Sequence, residues 1–370
     1  MQEQRPLLFR TGLPAGFSGD GGRLNLRKIM KSIPVEKAVG LTLCHDITEI
    51  VVGEHKKAAF RRGHVVRPED IPHLLRLGKE NLYVWSDQPE GLVHEDDAAR
   101  RIARAIAGAN VSFDGPTEGR INLKADIQGL LVLDVDFLAA LNDIPDVTVA
   151  TIGALREVRA GQALAGTRVI PLCVAEESVE AVESICRERG PLISVKPFRA
   201  HRVGVVTTGS EVFHGRIKDA FTPVLKAKFA AWGSALHFQT IVPDQPETTV
   251  AAIREALEKG CDLVCVTGGM SVDPDDKTPA AIREVCGQVV TYGAPVFPGA
   301  MFMLGYHHDI AVMGLPGCVM YQKASLFDLV LPRILAGRRL TRRDFIHLGH
   351  GGYCEQCADC RYPNCSFGRG

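Results

Sequence analysis

The sequence predicts an α/β fold for residues 201–337, a doubly wound and mostly parallel sheet, preceded by a smaller strand-rich α+β region. Two observations carry this reading. From Arg202 onward, short apolar runs alternate with longer amphipathic ones, the rhythm of a parallel sheet covered on both faces. The turns that follow the apolar runs are rich in glycine, and open α/β sheets bind ligands beyond the carboxyl ends of their strands.

The elements of this stretch follow in order. Val203-Gly204-Val205-Val206-Thr207 reads as a buried strand. A helix is expected from Asp219 to Trp232, closed by Gly233. A strand over Ala235 to Val242 comes next, then a helix from Glu247 to Lys259 closed by Gly260. Leu263-Val264-Cys265-Val266 is a second near-continuous apolar strand, followed by a helix from Thr278 to Cys286. Strands are expected over Met303 to Tyr306 and Ile310 to Met313, joined by a turn at His307-His308-Asp309. A last helix is expected from about Val319 to Leu335. Glycine just past a helix end is the usual stop signal.

The rest divides more coarsely. Residues 1–29 show no helix or strand period and are expected to be disordered; Met30 stands directly before a patterned strand and is the expected natural start. Residues 30–90 read as a small strand-rich domain. Strands are expected at Ser32 to Val35, Gly40 to Thr48, Arg62 to Val66 and Leu82 to Trp85. A helix starts at Pro68-Glu69-Asp70, with proline in the first turn and acids at the positive end of the dipole. Residues 91–200 read as a mixed α+β region, with an amphipathic helix near 94–108 and another from Glu176 to Arg189. Residues 338–370 form a cysteine-rich tail.

Composition narrows the classes of function. Hydrophobic residues make up 46%, enough for real cores, and the 43 basic residues balance the 43 acidic ones. Nucleic acid and acidic membrane usually demand a basic excess, so neither is an expected partner. No apolar run approaches the ~18–20 residues that span a bilayer. Seven of the eleven cysteines are scattered through apolar segments, where a free thiol behaves as a small hydrophobe. That pattern fits a reducing, cytoplasmic setting.

Four turns are candidates for chemistry. The first reads Thr207-Thr208-Gly209-Ser210-Glu211. Its glycine permits close approach of a phosphate to backbone N–H groups, and the Thr208 and Ser210 hydroxyls add donors; an ordinary turn is the alternative. The second reads Thr267-Gly268-Gly269-Met270-Ser271-Val272-Asp273-Pro274-Asp275-Asp276-Lys277-Thr278. Paired glycines allow close backbone approach, and three clustered carboxylates call for Mg²⁺, a cation or water; the alternative is a solvated acidic loop with Asp276 capping a helix. The third is Phe297-Pro298-Gly299-Ala300-Met301 and the fourth is Gly314-Leu315-Pro316-Gly317-Cys318. Four such turns in one domain are more specific than any one of them. The histidines of the N-terminal half show no ligand spacing, and there is no Walker A loop or G-x-S-x-G elbow.

The tail carries Cys354, Cys357, Cys360 and Cys365, a C-x2-C-x2-C-x4-C run with His347 and His350 nearby. Three cysteines at these intervals resemble the start of a bacterial 4Fe–4S run, though the fourth differs. Four cysteines also suffice for structural Zn²⁺. A reduced loose tail, or disulfides, is the remaining alternative.

In order and spacing, the four turns resemble the molybdopterin-binding domain shared by MoeA, gephyrin and MogA-type proteins. That family has TGDEL or TGSE after the first strand, an Asp at the next helix, a GGxSxGxxDxT loop, a PGxP loop and GLPGNP. Here stand Thr208-Gly209-Ser210-Glu211, Asp219, Gly268-Gly269-Met270-Ser271 with Asp276 and Thr278 in register, Pro298-Gly299, and Gly314-Leu315-Pro316-Gly317. The resemblance implies binding of molybdopterin or its adenylylated form, with Thr208, Gly209, Ser210, Gly268, Gly269, Ser271, Thr278, Pro298, Gly299, Gly314, Pro316 and Gly317 at the cofactor. It implies Glu211, Asp219 and Asp276 as acidic site residues that hold Mg²⁺ or aid transfer. Residues 33–48 faintly resemble the opening of MoeA, without its S-A-M-D-G-Y-A segment.

Two departures bear on activity. The family's PGxP loop carries lysines suited to molybdate, where this chain has Val296-Phe297 and Ala300-Met301. GLPGNP becomes Gly314-Leu315-Pro316-Gly317-Cys318-Val319. The leading expectation is a protein of molybdenum (or tungsten) cofactor biosynthesis that inserts metal into adenylylated molybdopterin. The rival is a non-catalytic carrier or sensor whose tail docks a molybdoenzyme or a cofactor-biosynthesis protein. A nucleotide-cleaving phosphohydrolase is a third reading, and a homodimer is a possible assembly.

Overall fold

The computed structural model describes residues 31–84, 91–271 and 276–369. The expectations for residues 1–29, for Trp85, and for Asp273 and Asp275 lie outside the described residues. The chain forms two compact units. The first holds its described residues up to Lys124, then Asp134–Ile152 and Ala163–Ile193. The second holds Ala125–Leu133, Gly153–Gln162 and the chain from Ser194 on.

The first unit is built from small antiparallel pieces. Lys31–Pro34 pairs with Asn81–Val84, and Ile47–Val51 forms a hairpin with His55–Phe60. Val35, Leu43, Ile47, Leu74 and Leu82 close a core between them. The expected strand over Arg62 to Val66 is instead a turn with a single bridge from Val65 to Thr42. Backbone bonds still join it to residues 40–43, among them Leu43 N–H to the His64 carbonyl and Val66 N–H to the Leu41 carbonyl, both 2.9 Å, and the His64 ring bonds Asp70 of the helical turn Pro68–Asp70. Gly40 to Cys44 is likewise irregular, and the strand begins only at Ile47. Two helices, Glu95–Ile106 and Glu176–Arg189, lie side by side. Arg101 clamps the second from the first through Glu183, at 2.8 Å to each carboxylate oxygen, and Glu176 at 3.0 Å. His94 is a buried cap: its Nδ1 accepts from the Asp96 N–H and its Nε2 donates to the Cys44 carbonyl, at 2.7 Å.

The second unit is the α/β domain. Its strands are β1 (Arg202–Thr208), β2 (Ala235–Val242), β3 (Leu263–Thr267), β4 (Gln288–Tyr292), β5 (Met303–His307) and β6 (Ile310–Leu315). The sheet order is β2-β1-β3-β6-β5-β4, parallel through the first four and antiparallel at β5 and β4. The helices are α1 (Ser210–Phe213), α2 (Phe221–Ala230), α3 (Pro246–Glu258), α4 (Thr278–Val285), α5 (Cys318–Tyr321), α6 (Leu326–Leu335) and α7 (Arg342–Ile346).

Alternation along the strands shows that both faces are buried. Val203, Val205, Cys265 and Met313 pack with Phe229 of α2 and Phe327 of α6. Val206, Val264, Val266 and Val312 pack with Ile253 of α3 and Ile282 of α4. The doubly wound reading therefore holds, with three differences of detail. The strand β4 is not among the expected elements. The helix expected at Asp219 starts at Phe221, because Asp219 caps it. The single helix expected over Val319 to Leu335 is two, because Ser325 and Asp328 form a capping box that starts α6 afresh.

The early segments of this unit form their own small sheet, with Gly129–Leu133 between Glu157–Val158 and Ile193–Pro197. Leu130 and Leu131 are fully buried. A Cβ at Gly129 would lie 2.3 Å from the Lys196 carbonyl oxygen, so only glycine admits this approach.

Candidate functional site

Strand register decides which turns share a rim. Thr208 pairs with Val242, Thr207 with Thr267, and Thr267 with Leu315. Across the antiparallel edge, Gly314 pairs with Met303 and Met303 with Tyr292. The carboxyl ends of β1, β2, β3, β4 and β6 therefore form one row, and all four glycine-rich turns leave from it. This is the edge at which open α/β sheets bind ligands.

The middle of the row is the tightest part. Thr208 and Thr278 are buried, with their hydroxyls 3.3 Å apart. Thr267 and Thr207 make a second hydroxyl contact at 3.3 Å one step below. Gly268 and Gly269 both have positive φ. A Cβ at Gly268 would lie 2.0 Å from the Thr208 carbonyl oxygen, and one at Gly269 would lie 2.9 Å from the Thr278 hydroxyl. The glycine pair thus folds back onto the end of β1, and Thr208, Gly268, Gly269 and Thr278 come together in space. Ser271, just beyond, is exposed.

The other turns are held to this centre by packing. Gly314 admits the Met270 side chain so closely that a Cβ would lie 2.7 Å from its sulfur. Gly299 sits on the start of α6, where a Cβ would lie 2.6 Å from that of Leu326, and the Pro298 carbonyl accepts the Leu326 N–H at 3.0 Å. Pro316 is buried. Gly317 is exposed, with nothing within 4 Å of where its Cβ would be.

The three acidic candidates stand in different surroundings. Asp219 is fully engaged: it accepts from the N–H groups of Phe221 and Thr222, from the hydroxyls of Thr207 and Thr222, and from the Gln239 amide. That arrangement caps α2 and ties it to β1 and β2. Glu211 is exposed, its carboxylate folded back over Gly209. Asp276 is half-buried, two residues before α4. In the first turn the N–H groups are committed inside the protein. Gly209 donates to the Val242 carbonyl at 3.1 Å, and Ser210 donates to the Asp244 carboxylate at 2.7 Å. Asp244 and Gln239 are absent from the sequence reading; the signal for Asp244 was its place, a carboxylate directly after the end of β2. Cys318 opens α5, and burial pushes its thiol up from the ordinary value.

The tail folds against the same domain. Tyr353 forms a parallel bridge to Phe297, with Phe297 N–H to the Gly352 carbonyl and Cys354 N–H to the Phe297 carbonyl, both 2.8 Å. Tyr362 donates its hydroxyl to the Asp328 carbonyl at 2.9 Å, and Phe367 is buried. Cys354, Cys357, Cys360 and Cys365 all line one cavity of about 440 Å³. Among the described residues, no three His, Cys, Asp or Glu side chains are gathered closely enough to hold a metal ion.

With this geometry established, comparison with known proteins places the domain. Residues 204–336 match the family model described as "Probable molybdopterin binding domain". Residues 32–86 match a family described as a domain of unknown function. A CinA-like protein of Mycobacterium avium (strain 104) is 34% identical over 95 residues, 26% of this chain and 22% of that protein. A CinA-like protein of Mycobacterium tuberculosis (strain ATCC 25618 / H37Rv) is 34% identical over 87 residues, 24% of this chain and 20% of that protein. The chain thus spans about a fifth of the length of the curated relatives it matches. Among solved structures, the molybdopterin biosynthesis enzyme MoaB from Thermus thermophilus is 24% identical, covering 37% of this chain and 98% of that one at a TM-score of 0.33. The tungsten cofactor synthesizing protein MoaB from Pyrococcus furiosus is 21% identical, covering 32% and 84% at a TM-score of 0.28. Among the described residues, no helix is long and apolar enough to cross a membrane.

Proposed function

We propose that the protein serves molybdenum cofactor biosynthesis by binding molybdopterin, or its adenylylated form, on the rim formed by the ends of β1, β3, β4 and β6. One observation carries the reading: Thr208, Gly268, Gly269 and Thr278, drawn from turns 60 to 70 residues apart, meet in one cluster inside the matched domain. In this proposal the glycine pair brings backbone up to the ligand, and the Thr208 and Thr278 hydroxyls orient its phosphate. Ser210 and Ser271 flank the cluster, Pro298-Gly299 and Gly314–Gly317 bound the pterin end, and Glu211 and Asp276 face the phosphates. Mg²⁺ is usually held by one or two carboxylates together with substrate phosphates, and Asp276 is the carboxylate proposed for it. Asp219 acts through its position, since its oxygens already accept five donors.

A second reading concerns the fate of the bound pterin. Seating molybdate calls for cations beside the Pro298-Gly299 turn, and Val296, Phe297, Ala300 and Met301 supply none. This favours a carrier or sensor over a metal-inserting enzyme. The four tail cysteines are proposed as its metal centre, iron–sulfur or zinc, and as the part that meets a molybdoenzyme. The test is equilibrium binding of molybdopterin and of adenylylated molybdopterin to the full chain, followed by incubation with molybdate and Mg²⁺. Tight binding without insertion supports the carrier. Insertion abolished by Asp276→Ala supports the enzyme. Absence of binding to either pterin sinks both.

A further inference from the structure

We propose that Cys354, Cys357, Cys360 and Cys365 bind an iron–sulfur cluster rather than a zinc ion, in a seat lined by the tail and by the segment from Tyr321 to Ala324. The inference deepens the tail part of the preceding proposal and stands whether or not the rim binds a pterin. Volume is the first argument. All four cysteines line one cavity of about 440 Å³, roughly fifteen times the ~30 Å³ that a water molecule takes in the liquid. A zinc ion with bonds of ~2.3 Å gathers four sulfurs to about 4 Å from one another. The cavity instead has room for a group of several atoms, and the two short C-x2-C intervals suit the thiolate ligation of a cluster.

Pre-organisation is the second argument. The residues between the cysteines do the anchoring. Tyr362 and Phe367 turn into the core beside α6, with ring centroids 6.3 Å apart. Gly368 fits against Leu329, where a Cβ would lie 2.4 Å from Cδ2, and its N–H bonds the Gly351 carbonyl at 2.8 Å. Arg156 holds the Asn364 side chain at 2.9 Å. Chain and anchors are thus fixed at both ends of the run, while Cys357 and Cys360 remain exposed and Cys354 and Cys365 half-exposed. A loose tail would not seat one aromatic in the core and pack a second against it in this way. Lys323 and Arg361, also at the cavity, bring positive charge to four thiolates.

The third argument is the wall of the cavity. Gln322 to Ala324 follow α5, the helix after the Gly314–Gly317 turn, and Cys354 donates its N–H to Phe297, next to Pro298-Gly299. The cavity is therefore walled by the segment that follows α5, and the first cysteine of the run is tied to the third turn of the rim.

The test uses the full chain, purified without oxygen and incubated with ferrous and ferric iron and inorganic sulfide. Iron, zinc and acid-labile sulfide are then counted, and the visible spectrum is read before and after dithionite. The expected result is about four irons and as many sulfides per chain, with visible absorption that dithionite bleaches. Cys360→Ser is expected to lose most of the iron, and Cys186→Ser, at a buried thiol elsewhere, to lose none. Thermal melting of the metal-free Cys360→Ser protein should match that of the metal-free parent, since Cys360 is exposed. One zinc per chain without labile sulfide, no retained metal, or full iron in Cys360→Ser would each overturn the proposal. Pterin binding measured on the same samples separates this outcome from the fate of the rim.

Discussion

Gly268→Ala probes the centre of the proposed site most directly. The new Cβ would lie 2.0 Å from the Thr208 carbonyl oxygen, about 1.4 Å short of the 3.4 Å at which contact becomes ordinary. The obstacle is backbone within a parallel strand, so no side chain can rotate away. The φ of +86° adds the left-handed penalty of roughly 1–2 kcal/mol. Forcing a methyl into a filled space costs about 1–3 kcal/mol. Together these predict a loss of about 2–5 kcal/mol, or a melting temperature lower by roughly 5–15 °C for a unit of this size. Gly317→Ala is the matched control in an equally glycine-rich turn. It has helical φ and nothing within 4 Å, so its melting temperature should stay within about 2 °C or rise slightly. Differential scanning calorimetry of the two variants, with pterin titration of each, reads both stability and site. Equal melting temperatures for Gly268→Ala and Gly317→Ala would refute the close-approach reasoning.

Three further outcomes are expected. Glu183→Gln removes the carboxylate that hydrogen bonds from Arg101 hold below its ordinary value; that stability is present above the unfolded glutamate value of about 4.3 and is lost as pH falls through the lower folded value. The variant should therefore lose up to about 1 kcal/mol of unfolding free energy at pH 7, read from urea denaturation, and the loss should shrink as pH falls through the lowered folded value. Lys228→Met leaves Asp328, only 5% exposed, without its cation, and should cost about 3 kcal/mol; adding Asp328→Asn should recover part of it, which denaturation of the double variant checks. Burial pushes the Cys44 thiol to about 12 and those of Cys173, Cys186 and Cys286 to about 11, so brief alkylation of the metal-free native protein at pH 8 should label Cys357 and Cys360 first, as read by peptide mass spectrometry.

How much of this was legible in the sequence depended on whether the signal was local. β1, β3 and β6 announce themselves as apolar runs because both faces of the sheet are buried, and the glycine pair after β3 marks the turn that must touch β1. The hairpin strand His55–Phe60 gives no such signal: Lys56, Lys57 and Ala58 are exposed, and of its six residues only Phe60 is buried. Arg62 to Val66 shows the reverse, a β-prone stretch whose pairing with residues 40–43 stops at a single bridge and a few backbone bonds. At the site, Thr208, Gly268, Gly269 and Thr278 were chosen separately and prove to be neighbours. Asp244 was missed because its role is to accept a bond from Ser210, 34 residues earlier, and no spacing within either turn records that. The cysteine run was visible as spacing. That its sulfurs surround a single cavity depends on Tyr362 and Phe367 finding the core beside α6.

The return of Ala125–Leu133 and Gly153–Gln162 to the second unit has a consequence for how the protein is made. Leu130 and Leu131 are fully buried in that unit; one flanking strand, Glu157–Val158, follows soon after, but the rest of the unit begins only at Ser194. At roughly 5–20 residues per second, the ribosome still has some tens of seconds of work between the early strand and the buried Phe367. Through that interval a short apolar strand waits without its final partner, the circumstance in which nascent chains stick to one another. A messenger recoded to slow translation between codons 162 and 370 should therefore lower the soluble yield, whereas slowing before codon 125 should not.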